Sequence, residues 1–206
     1  WHLSIVQAQL STLSMIDKDK ARQFLEKLVK HHDDSTPRTA ILQLAATAYE
    51  QLGDIDEALA AWEEFSQLEP ANFQAYLVQF QLALNVLKLE RIQGADGILA
   101  KMAGIEGKNG DHVRLSRAQL LIAEARRGDR QRLDLAKEIL DDLRNRFILI
   151  DKVLASLADW QAIEGNQDEA TDLYREAIAK GSTDPRVIRE LVRRLNAESN
   201  FPEASA

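Results

Sequence analysis

A short acidic or polar segment that runs into an alanine recurs six times along this chain of 206 residues. The alanines of this pattern are Ala21, Ala58, Ala95, Ala136, Ala170 and Ala204, at spacings of 37, 37, 41, 34 and 34 residues. A period in this range is typical of stacked helix pairs, because one pair with its turns occupies about that length. The recurrence therefore predicts a repeat protein rather than a domain with one closed core.

The clearest copy of the unit spans residues 39–72, and its first half predicts a helix. Apolar and small residues follow the i, i+3, i+4, i+7 pattern of one helical face; they are Leu42, Ala45, Ala46 and Tyr49. Gly53 then supplies the left-handed conformation that commonly ends a helix. Asp54 or Asp56 is placed to accept hydrogen bonds from the free amides of the next helix.

The second half of this copy predicts a second helix that ends before Pro70, since proline cannot continue a helix. Its expected buried face consists of Ala58, Trp62, Phe65 and Leu68. Ala58 stands opposite Tyr49, where a small residue lets the two helices approach each other. A larger side chain there would overpack the contact by about 1 to 3 kcal/mol.

This unit resembles the tetratricopeptide repeat (TPR), whose first helix carries a large apolar residue, leucine beside glycine or alanine, and then tyrosine. The second helix of that repeat carries alanine, an aromatic residue, a small residue and a closing proline; Phe65 here replaces the small residue. The copy at 151–184 matches with Leu154, Leu157, Ala158, Gly165, Ala170, Tyr174 and Ala177. The resemblance implies an all-α fold, a right-handed α-solenoid of about eleven helices in antiparallel pairs.

The predicted array is a single domain with repeats at about 2–38, 39–72, 73–107, 111–147, 151–184 and a truncated sixth at 185–206. In the third repeat the turn is expected at Gln93-Gly94, after a first helix that reaches Val86. The turn of the fourth repeat, from Gly128, is about three residues longer than usual. A different helical-pair repeat of looser period is the alternative for residues 72–147.

The last segment predicts a helix that starts at Asp184-Pro185, an N-cap followed by proline at the first helical position. Its expected buried stripe is Ile188, Leu191, Val192 and Leu195. A solenoid end normally needs a polar cap, and none is visible here. We therefore expect the chain to be a fragment of a longer protein, with poor order after about Asn200.

Composition excludes several classes of function. With 26 Lys and Arg against 33 Asp and Glu, the net charge of −7 disfavours nucleic acid and anionic membranes as partners. The absence of cysteine excludes disulfides and thiolate metal sites. No apolar run approaches the ~20 residues of a membrane span, so we expect no membrane insertion. The compartment stays open, with the cytoplasm slightly favoured.

No motif in the sequence predicts catalysis, a cofactor or a metal. His31 and His32 are adjacent, and neighbours on a helix point about 100° apart, so a structural role is favoured over metal binding. The Gly107-Lys108 pair lacks the spacing and the Ser or Thr of a phosphate-binding loop. We therefore expect a non-enzymatic chain.

The TPR resemblance implies a concave groove lined by the first helix of each pair, which binds a protein or peptide. The residues carried over to it are Gln43, Thr47, Glu50, Phe80, Gln81, Leu84, Gln119, Ile122, Arg126, Lys152, Ser156, Asp159, Arg186, Arg189 and Arg193. The last three form an i, i+3, i+7 row, which suits a partner with an acidic flank. A solvated helix face is the alternative for this row.

The leading hypothesis is thus a protein-interaction or scaffold module. The alternative is a structural array that spaces other domains or self-associates, including weak association through uncapped solenoid ends.

Overall fold

The computed structural model describes residues 3–30, 36–85 and 89–198, and within these ranges the chain forms eleven α-helices and one turn of 3-10 helix. The chain divides into two compact units, Trp1–Ile105 and Glu106–Ala206. The all-α prediction is confirmed, whereas the repeat boundaries and the handedness of the solenoid stay predictions. His31, His32 and the residues after Asn200 lie outside the described ranges.

The helices of the first unit are α1 (Leu3–Ile16), α2 (Lys18–Lys30), α3 (Arg38–Leu52), α4 (Ile55–Leu68), α5 (Phe73–Asn85) and α6 (Leu89–Glu106). Its core contains the predicted pair of Ala58, which is fully buried, and Tyr49. Trp62 and Phe65 pack edge to face beside them, with ring centroids 5.5 Å apart. Gly53 ends α3 at φ 84°, and its amide donates to the carbonyl of Glu50. The structure therefore confirms the packing and the turn predicted for this helix pair.

Two details of the same pair differ from the expectation. The side chain of Asp54 does not cap α4. It accepts two hydrogen bonds from Arg22 on α2, at 2.7 and 2.8 Å, because a bidentate guanidinium is a stronger partner than a backbone amide. Leu68, expected on the buried face, is 51 % exposed in the last turn of α4, one residue before the chain leaves the helix.

The expected turn at Gln93-Gly94 was wrong, because both residues lie inside α6. Glycine weakens a helix interior by about 1 kcal/mol relative to alanine. Ala95, Leu99 and Met102 are buried at i, i+4 and i+7 of that helix, and their packing outweighs this cost. Val86 lies outside the described ranges.

The helices of the second unit are α7 (Asp111–Ala125), α8 (Leu133–Asn145), α9 (Ile150–Glu164), α10 (Gln167–Ala179) and α11 (Pro185–Glu198). The 3-10 turn Arg130–Arg132 occupies the long connection before α8. Gly165 at φ 94° ends α9 and brings α10 back against it. The face between these two helices is fully buried at Leu154, Ala158, Ala170, Tyr174 and Ala177.

The start of α11 agrees with the sequence, since Oδ1 of Asp184 accepts a hydrogen bond from the amide of Arg186 at 2.8 Å. The predicted buried stripe was wrong in part, since Leu191 is half-buried and packs against the core as expected, but two other members are not buried. Ile188 and Val192 are 43 % and 50 % exposed, whereas Val187 is fully buried and Arg194 is 6 % exposed. Hydrophobicity alone selected Ile188, but the helix is turned so that a packed arginine completes the buried side.

Candidate functional site

Six of the predicted groove residues lie in the first unit. Gln43, Thr47 and Glu50 are exposed along one side of α3, and the hydroxyl of Thr47 donates to the carbonyl of Gln43 at 2.9 Å. Although Glu50 is exposed, the protein around its carboxyl removes part of the hydrating water, and this desolvation raises the pKa of that carboxyl. Gln81 on α5 is exposed and Leu84 is half-buried, but Phe80 is completely buried. Phe80 therefore belongs to the packing under this surface and offers a partner no contact area.

The remaining predicted residues lie in the second unit, where Ile122 and Ser156 are also buried, at 3 % and 0 % exposed. The Ser156 hydroxyl donates to the carbonyl of Lys152 at 2.9 Å and accepts a bond from Nε2 of Gln119 at 3.2 Å. The bond from Gln119 ties α7 to α9, so Ser156 supports the surface while Lys152 remains exposed on it.

Asp159 on α9 is the centre of a polar cluster in the second unit. Its carboxylate is buried and accepts hydrogen bonds from the hydroxyl of Tyr174 at 2.6 Å, from Nη1 of Arg186 at 2.7 Å and from Nη2 of Arg126. These donors come from α10, from α11 and from the residue that follows α7. One carboxylate thus joins four structural elements, and it brings two of the predicted arginines together.

The electrostatics of this cluster keep its arginine charged and its tyrosine neutral. Burial alone would lower the pKa of Arg186, but the adjacent carboxylate of Asp159 outweighs it and the net shift is upward. Burial and the same carboxylate raise the pKa of Tyr174 well above its ordinary value. Arg186 therefore stays charged and Tyr174 stays a neutral donor near pH 7.

Arg194 is part of the same cluster, and the sequence did not predict it. Its guanidinium lies 5.4 Å above the ring centroid of Tyr174. Its Nη1 donates to Oε1 of Gln167 at 2.6 Å, and its Nη2 lies 3.2 Å from Oε1 of Glu190. Its Nε is buried and has no hydrogen-bond partner among the described residues. The sequence signal for its burial is the i+7 spacing from Val187, because residues seven apart lie on the same face of a helix and Val187 is fully buried.

These side chains border an open pocket of about 380 Å³, which we call the arginine pocket. Its lining residues are Arg126, Asp159, Ala162, Ile163, Gln167, Arg186, Glu190, Arg193 and Arg194. Of the predicted row on α11, Arg186 and Arg193 line the pocket and Arg189 does not. Arg193 forks onto Glu190 with bonds of 3.0 and 2.6 Å, which lowers the pKa of that glutamate. The pocket wall therefore carries four guanidinium groups and two carboxylates.

The described part of the chain offers no group of three His, Asp or Glu side chains that could hold a metal ion. In the same residues, no helix combines the length and the apolar character needed to cross a membrane.

Comparison with known families decides where this chain belongs. A family model described as coatomer epsilon subunit matches residues 3–204, nearly the whole chain. The chain belongs to the coatomer epsilon subunit family. No curated protein matches this coatomer epsilon family member in sequence.

Two solved structures show the fold of this coatomer epsilon family member. One is TTC0263, a thermophilic TPR protein in Thermus thermophilus, at 17 % identity and a TM-score of 0.59, covering 92 % of this chain and 95 % of that one. The other is "MamA RS-1 ArsTM double mutant", at 14 % identity and a TM-score of 0.51, covering 87 % of this chain and 97 % of that one. The predicted TPR-type helical repeat fold is thereby confirmed.

Proposed function

We propose that this chain is a protein-binding subunit of a vesicle coat and that it has no catalytic activity of its own. The observation that carries the proposal is the match of the coatomer epsilon subunit model to residues 3–204. The TPR-type fold supports it, because stacked helix pairs offer extended binding surfaces. TPR-type scaffolds are, in general, non-enzymatic, and the family name describes a subunit of an assembly.

Within each unit, the exposed or half-buried members of the predicted groove are the residues proposed to contact a partner. In the first unit these are Gln43, Thr47, Glu50, Gln81 and Leu84. In the second unit they are Gln119, Lys152, Arg126, Arg186, Arg189 and Arg193, with Asp159 as the buried support of two of them. Phe80, Ile122 and Ser156 are left out of this contact set because they are buried.

The proposal is tested by isolating the natural protein with an affinity tag from its own cells under native conditions. We expect a stoichiometric complex with further subunits of one coat, recovered again from isolated vesicles. The neutral control is the same tag on an unrelated TPR protein. Elution of the protein alone, at the mass of a monomer or of a homo-oligomer, would reject the coat function; the homo-oligomer would favour the self-associating array instead.

A further inference from the structure

We infer that the arginine pocket of the second unit binds a single carboxylate of a protein partner, from an Asp or Glu side chain or from a chain terminus. The inference deepens the proposed function, on which it rests, by giving the chemistry that one site of the subunit recognises. Its evidence is the composition of the pocket wall, the way in which its arginines are held, and one buried donor without a partner.

The arginines are held in place before any ligand arrives. Arg126 and Arg186 each donate an N–H to the buried carboxylate of Asp159. A guanidinium carries five N–H donors in a rigid plane, so this contact fixes the group and leaves further donors for a ligand. A site whose cations are already oriented binds with a smaller loss of side-chain entropy than a row of mobile ones.

Arg194 supplies the second, independent observation. Its side chain lines the pocket and is 6 % exposed, and its Nε is a buried donor without a hydrogen-bond partner among the described residues. Leaving a buried donor unpaired costs free energy, and native structures rarely do so without a reason. This Nε is covered from solvent, so an acceptor bound in the pocket would provide the missing bond after a small rotation of the Arg194 side chain that lines it.

The charges of the wall favour a carboxylate over a phosphate dianion. Four guanidinium groups face two carboxylates there, which leaves a small excess of positive charge. Arg126 directly follows α7, and Ile163 lies in the last turn of α9, so two helix C-termini add partial negative charge. The small net positive charge that remains suits a ligand with one negative charge. The planar guanidinium of an arginine also matches the two oxygens of a carboxylate.

The test is a fluorescence anisotropy titration of the full chain at ~0.15 M salt, where the Debye length is about 8 Å. Two labelled peptides distinguish the sources of the carboxylate: hexaglutamate with an amidated C-terminus, and pentaglycine with a free C-terminus. Amidated hexaglutamine is the neutral control. We expect at least one of the two carboxylate peptides to bind and hexaglutamine not to bind. Failure of both carboxylate peptides to bind would overturn the inference.

Variants locate the binding. Arg126→Gln and Arg193→Gln should each weaken the peptide that binds by about five-fold or more, the loss typical of a charge-assisted contact. Arg175→Gln is the matched control, because it makes the same charge change on an exposed residue of α10 that lies outside the pocket and outside the proposed contact set, and it should change Kd by less than about two-fold. Equal losses in all three variants would show a general charge effect and overturn the inference.

A measurement on the unmodified chain guards against variants that fail to fold. The Nε–Hε NMR resonance of Arg194 should shift on addition of the bound peptide and stay in place with hexaglutamine. Inorganic phosphate, added as competitor, should displace the peptide only weakly; displacement stronger than by acetate would assign the pocket to phosphate and reject the carboxylate. If neither peptide binds but the native isolation yields a coat complex, the carboxylate site is rejected and the proposed function stands. Peptide binding without a coat complex rejects the proposed function alone.

Discussion

The hydroxyl of Tyr174 on α10 donates a 2.6 Å hydrogen bond to Oδ1 of Asp159 on α9. Tyr174 is the aromatic residue of the second helix of its repeat pair, and its side chain is fully buried. The bond therefore connects the packing of the pair with the polar cluster, because the same carboxylate holds Arg126 and Arg186. A residue that the repeat uses for packing thus also orients the arginine pocket.

Removing this hydroxyl by Tyr174→Phe should lower the free energy of unfolding by about 1.5 to 3 kcal/mol, the range for a hydrogen bond to a charged group. Tyr76→Phe is the matched control. That tyrosine is also buried, but its hydroxyl lies 3.5 Å from the carbonyl oxygen of Ser66 and makes a much weaker bond. Urea denaturation followed by circular dichroism measures both, with separate fits if the two units unfold separately. Equal effects of the two variants would contradict the special role of Asp159.

Much of the fold could be predicted because the repeated unit, and the small alanine where its helices pack, are both visible in the sequence. Each described alanine of the opening pattern, from Ala21 to Ala170, is fully buried where helices pack. The pattern failed where tertiary contacts override local preference. Gly94 suggests a turn but lies in α6, and Arg194 suggests a solvated position but is covered by the ring of Tyr174 and by Glu190.

The site was less predictable than the fold for a related reason. The row at Arg186, Arg189 and Arg193 follows one helical face in sequence, but a single helix does not determine where each side chain finds its partner. Arg186 reaches Asp159 on α9, which is 27 positions away in sequence, whereas Arg193 turns onto Glu190 of its own helix. Periodicity describes a face of one helix, but the contacts that divide this row depend on the packing of several helices.

The ion pair of Arg22 and Asp54 should make the first unit sensitive to acid. The bond from Arg22 holds the pKa of the Asp54 carboxyl below its ordinary value. A lowered folded-state pKa contributes stability that is present above the unfolded value of about 3.9 and is lost as the pH falls through the folded value. Arg22→Gln should therefore reduce the free energy of unfolding at pH 7, and the difference from the natural chain should shrink as the pH falls from about 3.9 through the folded-state pKa of Asp54.

Arg175→Gln is the control for this acid effect, since Arg175 contacts Asp172 one helical turn away on an exposed face of α10. Its effect at pH 7 should be the smaller of the two, because an exposed pair contributes little. Denaturation curves at pH 3, 5 and 7 provide the comparison. A loss in Arg22→Gln that is independent of pH would show that packing of the arginine, and not the carboxylate, is responsible.

The glycines of α6 offer a test of the corrected helix boundary. Gly97 lies inside that helix, and among the described residues a Cβ added there would meet no atom within 4 Å beyond its chain neighbours and the backbone of its own helix. Gly97→Ala should therefore raise the free energy of unfolding by about 0.5 to 1 kcal/mol. The same change at Gly53, which has φ 84°, should lower it by about 1 to 2 kcal/mol, because alanine is strained in the left-handed region. Destabilisation by Gly97→Ala would argue against the helix through this segment.

Substitutions of Trp62 separate the stability that comes from burying its ring from the cost of burying its indole N–H without a hydrogen bond. The ring is 7 % exposed and packs edge to face on Phe65, so Trp62→Ala should cost about 3 to 5 kcal/mol by opening a cavity. Its Nε1 is buried without a hydrogen-bond partner among the described residues, which is itself unfavourable. Trp62→Phe keeps an aromatic ring and removes that donor, so it should cost less than half as much as the alanine variant. Equal costs of the two variants, measured by urea denaturation, would show that the indole nitrogen is satisfied in solution.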